Sequence, residues 1–312
     1  MRLKRYLKIK MFGQKHIIGT IVCLISLLGF SQSGEVDIVT LSYKDTLELD
    51  FYSFQSGNKK APPLLVLMHG GGFESGNRDG KYERDFCTSM AEKGYAVASI
   101  SYRLTRKGDP FNCDCDTEKK INSFVAASED LSEALQFMKK ESDLVFDRDT
   151  IVLIGSSAGA EAVLHTAFMA SDYRFSHLPE IHISGVISFS GAVSNAAYIT
   201  NKNAVPSLFI HGKKDELVPY ATAPHHYCEA GRTGYLMLDG PETITGNLKK
   251  QGTSFILAFD PEGNHDWADD AYLQTDLVNR FIQDLILDKK FVQAYIRLET
   301  NDQNIDTTNK QK

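Results

Sequence analysis

Apolar residues recur in two alternating patterns along the chain. Short β-rich runs at Leu64–Met68, Tyr95–Ser101, Thr150–Ile154, Gly185–Phe189, Ser207–Ile210 and Ser254–Phe259 stand between amphipathic segments. Those segments lie near Glu83–Lys93, Ser128–Lys140, Ser157–Met169, Thr222–Gly231 and Ala271–Leu287. Buried runs of a few residues with helices between them predict a mostly parallel sheet flanked by helices on both faces, an α/β fold in one domain. Ahead of it, Val36–Tyr43 and Leu47–Phe54 flank Lys44-Asp45 and predict a hairpin. Thr105–Lys120 and Ser171–Ile183 interrupt the alternation. Both follow elements that point to the carboxyl edge of the sheet, where open α/β sheets bind ligands, so these small insertions are expected to wall the substrate pocket.

The N-terminus breaks the pattern differently. Arg2, Lys4, Arg5, Lys8 and Lys10 precede an apolar run from Ile17 to Phe30 that ends in the small residues Gly29, Ser31 and Ser33. The run is shorter than the roughly 20 residues that span a bilayer, so it predicts a signal peptide over residues 1–33 rather than an anchor. The expected organisation is then a catalytic domain over 34–296 and a polar, disordered tail over 297–312. Export to the periplasm or the medium follows, with no membrane association after cleavage.

The chain's 42% hydrophobic content is enough for a full-sized core. The formal charge is −6; loss of the leader, which holds six of the 34 basic residues and no acid, leaves 28 against 40 acidic groups, or −12. Such a surface repels nucleic acid and anionic membrane. Oligomeric state is not legible. Beyond the leader, Cys87, Cys113, Cys115 and Cys228 can form disulfides in an oxidising compartment. The Cys113-Asp114-Cys115 run could also suggest a metal, but no further ligand stands at zinc spacing beside it. A disulfide from this run to Cys87 or Cys228 is the alternative, with the pairing left open.

The chemistry is concentrated at four strand ends. Ile151–Ile154 runs into Gly155-Ser156-Ser157-Ala158-Gly159 and then into a predicted helix. A G-x-S-x-G between strand and helix holds its central serine on a strained turn with small neighbours, exposed at a helix N-terminus. Ser157 is therefore the expected nucleophile, and Ser156 a structural neighbour. Leu64–Met68 runs into His69-Gly70-Gly71-Gly72-Phe73, where consecutive glycines let backbone N–H groups converge on an oxyanion. Gly71 and Gly72, with Ala158 from the serine turn, are assigned to the oxyanion hole, and His69 to the structure of the loop.

A serine hydroxyl needs a base, and the base an orienting carboxylate. In this arrangement the order along the chain is Ser, acid, His. The run His211-Gly212-Lys213-Lys214-Asp215-Glu216-Leu217-Val218-Pro219 supplies Asp215, chosen over Glu216. The run Asp260-Pro261-Glu262-Gly263-Asn264-His265-Asp266-Trp267 supplies His265. His211 precedes the acid in its loop, and His225 and His226 fall on an expected exposed helix start. His165, His177 and His182 precede the acid and have no assigned role. Phe73 and Trp267, beside these loops, are assigned to substrate binding, with aromatic core packing as the alternative.

With H-G-G-G-F, G-S-S-A-G, H-G-K-K-D-E-L-V-P and G-N-H-D-W in place, the chain resembles the α/β-hydrolase carboxylesterase and lipase family that uses an H-G-G-G oxyanion loop. Within it, the chain is similar to small secreted acetyl esterases and acetylxylan esterases. Ser101-Tyr102-Arg103-Leu104 also matches the family segment after the next strand. The resemblance covers roughly residues 60–290 and implies hydrolysis of short acyl esters, free or on a polysaccharide, through an acyl-enzyme, with no cofactor or metal. Its elbow reads G-S-S-A-G rather than the G-D-S-A-G of the hormone-sensitive-lipase-like branch, and it lacks that branch's long N-terminal cap. Two other readings compete: a serine peptidase of the prolyl-oligopeptidase type, for which no β-propeller precedes the domain, and a non-catalytic binding module on a hydrolase scaffold, for which such modules typically lose a triad residue.

Overall fold

The computed structural model describes residues 34–54 and 60–299. The predicted leader and residues 300–312 lie outside them.

The predicted hairpin is β1 (Val36–Lys44) and β2 (Leu47–Phe54), paired antiparallel, with Asp45 in the left-handed region at φ 42°. The core follows as β3 (Pro63–Met68), α1 (Lys81–Glu92), β4 (Ala96–Ile100), α2 (Thr117–Lys140), β5 (Asp147–Ser156), α3 (Ala158–Phe168), β6 (Gly185–Phe189) and β7 (Ser207–Gly212). A short antiparallel pair, β8 (Thr222–Pro224) and β9 (Met237–Asp239), precedes α4 (Pro241–Lys250), β10 (Phe255–Asp260), α5 (Trp267–Asp270), α6 (Thr275–Phe281) and β11 (Gln293–Arg297).

The main sheet has nine strands in the order β1-β2-β4-β3-β5-β6-β7-β10-β11. β2 pairs antiparallel with both neighbours and all other pairings are parallel, as the alternation of apolar runs and helices requires. Successive residues of a strand face opposite sides. Leu64, Val66, Met68, Ile151 and Leu153 therefore enter one core with α2, α3 and α4, while Leu65, Leu67, Val152 and Ile154 enter the other with α1 and α6. These residues have zero exposure.

Local chemistry sets several boundaries. Asp116 caps α2 by accepting from the N–H of Glu118, and Lys139 and Lys140 close its last turn, where the helix dipole favours positive charge. The helix starts at Thr117, earlier than Ser128, so it takes in the end of the first predicted insertion.

Three predictions change. Thr222–Gly231 is not a helix: Thr222–Pro224 is extended in β8, and His226 and Tyr227 have φ of 56° and 48°, which no helix allows. Residues 237–250, without a predicted element, form β9 and α4. The helix signal there is diluted by Gly246 and threonines, yet Pro241 sits in its first turn and Ile244 and Leu248 bury one face. Arg297, given to the tail, ends β11, whose hydrogen bonds extend β10's edge.

Candidate active site

Ser157 sits between β5 and α3 with φ 48° and ψ −119°, a conformation costly for a residue with a Cβ. Its neighbours explain how the chain reaches it. A Cβ on Gly155 would lie 2.2 Å from the carbonyl oxygen of Gly159, and one on Gly159 would lie 2.3 Å from that of Met68. Only glycine permits β3, β5 and α3 to approach this closely. Ser157 N–H donates to the Phe189 carbonyl, and Ser156 turns away to donate to the Ala268 carbonyl.

Asp215 and His265 come from loops after β7 and β10, which are adjacent parallel strands. Lys213 N–H donates to Asp260 O and Lys214 N–H to Gly263 O, tying the loops together. A Cβ on Gly212 would strike the backbone of Gly263 and Asn264. The result is a chain of contacts: Ser157 Oγ is 2.9 Å from His265 Nε2, and His265 Nδ1 is 2.7 Å from Asp215 Oδ2.

Asp215 is buried, and its Oδ1 accepts from the N–H groups of Leu217 and Val218 at 2.9 Å each. His211 Nε2 lies 3.2 Å from Oδ2 and 3.0 Å from the Val218 carbonyl. Burial by itself raises the carboxyl pKa; hydrogen bonds from His211 and His265 overcome it and hold the group below the usual carboxylate range. His211 thus supports the acid and does not reach the serine.

Gly71, Gly72 and Ala158 line the same cavity as Ser157 and His265. Gly71 and Gly72 have φ of 111° and 63°, and the Gly71 carbonyl turns back to accept from Glu74 and Ser75 N–H. Beneath them His69 stacks on Tyr102 with centroids 4.4 Å apart, and Tyr102 donates its hydroxyl to the His69 carbonyl at 2.8 Å. Burial pushes the His69 pKa down to about 4.

Phe73 and Trp267, assigned to substrate binding with core packing as the alternative, pack in the core. Phe73 has no exposed surface and packs edge-on against Tyr102, Phe111 and Phe124. Trp267 is buried and donates Nε1–H to Asp260. Both anchor loops from beneath, and neither lines the cavity.

The cavity around Ser157 is about 570 Å³. Its lining includes the exposed Lys81, Tyr82, Asp266 and Asp269. It also includes the buried Phe111, Glu161, Val218 and His225 and the half-buried His226. His225, expected on an exposed helix start, is buried, because the Cys113–Cys228 disulfide and the β8–β9 pair fold its segment over the site. Glu161 carried one legible signal: it is the sole acidic residue of a helix whose other polar side chains are His165 and Thr166. Cys87 and Cys115 are free and buried. Among the described residues no group of His, Cys, Asp or Glu could hold a metal ion.

A serine, a histidine and an aspartate in contact at the carboxyl edge of this sheet define an α/β-hydrolase fold. The family model BD-FAE matches residues 49–194, from β2 past β6, a span that holds the glycine loop and Ser157 but neither Asp215 nor His265. Among solved structures, Thermogutta terrifontis esterase 2 phosphorylated by paraoxon superposes with a TM-score of 0.55 at 18% identity, over 81% of this chain and 94% of that one. The butyrate-bound form of the same esterase gives 0.55 at 17%, over 80% and 94%. Esterase B from Lactobacillus rhamnosis HN001 gives 0.54 at 16%, over 81% and 87%. These likenesses establish the fold.

Proposed function

We propose that the protein is a serine carboxylic ester hydrolase that works through an acyl-enzyme on short acyl, acetyl-like esters. The observation that carries this reading is the run of contacts from Ser157 Oγ through His265 to Asp215.

In this mechanism His265 Nε2 takes the Ser157 proton as Oγ attacks the ester carbonyl. Asp215 holds Nδ1–H and favours the imidazolium that forms. The backbone N–H groups of Gly71, Gly72 and Ala158 receive the oxyanion at the positive end of α3. Collapse of the tetrahedral species expels the alcohol with the proton from His265. Water, deprotonated by the same nitrogen, then releases the acid and restores Ser157. The buried side chains of Phe111, Val218 and His225 in the cavity lining favour a short acyl group. Esters of butyrate-sized acids are consistent with the butyrate-bound neighbour of the same fold.

Hydrolysis of p-nitrophenyl esters from acetate to decanoate, and acetate release from acetylated xylan, test this reading. The expected profile peaks at short chains and falls by about three or more orders of magnitude in Ser157→Ala. Equal rates in both proteins would remove the assignment; activity confined to peptides would favour the peptidase.

A further inference from the structure

The buried part of the cavity lining contains two polar side chains that the mechanism above leaves unused. Glu161 lies in the first turn of α3, its N–H donating to the Ser157 carbonyl at 2.9 Å. His225 reaches the same cavity from the segment after β8. Each is only 1% exposed. Glu161 Oε1 and both ring nitrogens of His225 have no hydrogen-bond partner within the described residues. Oε1 and Nε2 face each other at 3.4 Å, too far for a good hydrogen bond.

Folded proteins rarely leave buried polar atoms unpaired, and groups held this way at a cavity wall await a ligand. Burial raises the Glu161 pKa and lowers that of His225, so each favours its neutral form and the two are not an ion pair. The surroundings select among ligands. Lys120, buried beside the pair with its ammonium on the Gly234 carbonyl, opposes a cation. Asp215, near enough to push the Glu161 pKa further up, opposes an anion. A hydroxyl is neutral and can donate to one partner while accepting from the other.

Position sets how far that hydroxyl lies from the reacting carbon. Ser157 and Glu161 line the same cavity and are tied through the backbone, so a hydroxyl that meets the Glu161 carboxyl belongs to a carbon close to an acyl carbonyl held on Ser157. An acyl group on Ser157 that meets this pair lies against the buried part of the lining and leaves the exposed part to the alcohol. We propose that Glu161 and His225 together bind a hydroxyl on the acyl chain, so that the enzyme prefers 2- or 3-hydroxyacyl esters to their unsubstituted counterparts. This rests on the esterase reading.

The test compares kcat/KM, by pH-stat, for ethyl lactate against ethyl propionate and for ethyl 3-hydroxybutyrate against ethyl butyrate. Each rate is divided by the hydroxide-catalysed rate of the same ester, which removes the electron-withdrawing effect of the hydroxyl. The wild type should favour at least one hydroxy ester by about tenfold or more, since a site built around a hydroxyl leaves its own polar groups unpaired with the analogue that lacks it. It should also favour one enantiomer of that ester. Glu161→Leu and His225→Phe should each bring the ratio down to within about threefold of unity, and Glu161→Gln should keep most of it. A wild-type ratio at or below unity for both pairs overturns the proposal while leaving the esterase intact. No hydrolysis of any ester overturns the esterase reading and this inference with it. The wild-type comparison decides the matter even where a variant fails to fold.

Discussion

Ser157 holds its unfavourable backbone angles because its surroundings leave no alternative, and glycine makes those surroundings possible. Gly159 meets the backbone of a neighbouring strand. A methyl there would lie 2.3 Å from Met68 O and 2.5 Å from His69 O, both backbone atoms that no rotamer change can move. Gly159→Ala should therefore force β3 and α3 apart, costing about 3 kcal/mol, the upper end of ordinary overpacking. The oxyanion loop that continues from Met68 should shift with it, so activity should fall with stability. Urea midpoints and p-nitrophenyl acetate rates check this; a variant as stable and active as its parent would contradict the close approach.

The segment between β8 and β9 depends on a link that is distant in sequence. The Cys113–Cys228 disulfide spans 115 residues and joins the loop before α2 to the turn that carries His225. Thr117 N–H and Gly234 N–H donate to the Thr233 and Cys113 carbonyls beside it, and Phe111 packs edge-on against His225 at 5.0 Å. Closing so long a loop removes unfolded-state entropy worth roughly 5 kcal/mol in the chain-entropy account. Reduction, or Cys113→Ser with Cys228→Ser, should lower Tm, and it should raise KM more than it lowers kcat, since Ser157, Asp215 and His265 sit on other elements. An unchanged Tm together with an unchanged KM would show that the bond contributes nothing.

The molecule as a whole contains several histidines that fold neutral. His69 and His165 are pushed down to about 4 by burial, and His225 falls well below its ordinary value for the same reason. Each takes up its proton in the unfolded chain near pH 6.5 but not in the folded one. The unfolded state thus binds more protons between about pH 6.5 and 4, and stability falls with pH across that window. Glu161, with its raised pKa, acts in the opposite sense, its cost at neutral pH easing as the acid is protonated. His226, also pushed down to about 4, joins them, and the histidines outweigh Glu161 together with the less buried Glu83, Asp269 and Asp270, whose carboxyls are raised as well. His69 and His165 alone should remove on the order of 3 kcal/mol each by pH 4. Urea midpoints at pH 7 and pH 4.5 measure this, and a midpoint that holds or rises on acidification would contradict neutral burial.

The reach of local pattern is clear in particular residues. The strand at Ile151–Ile154 and the glycines around Ser157 are adjacent in sequence, so their geometry is encoded within one turn of chain. The same holds for Gly71 and Gly72 after β3. Asp215 and His265 could be named from their places beyond strand ends, but their 2.7 Å contact depends on β7 and β10 being neighbours, which nothing within either segment specifies. Loops carry no periodicity that separates a buried face from an exposed one. Phe73 and Trp267 therefore belong to the core, and His225 to the cavity, against their sequence expectations. Cys228 likewise had two candidate partners and meets Cys113, because pairing requires proximity that only packing supplies. Alternating apolar runs are short-range facts of the chain; which loops meet across the sheet's carboxyl edge follows from strand order and from the burial of everything beneath them.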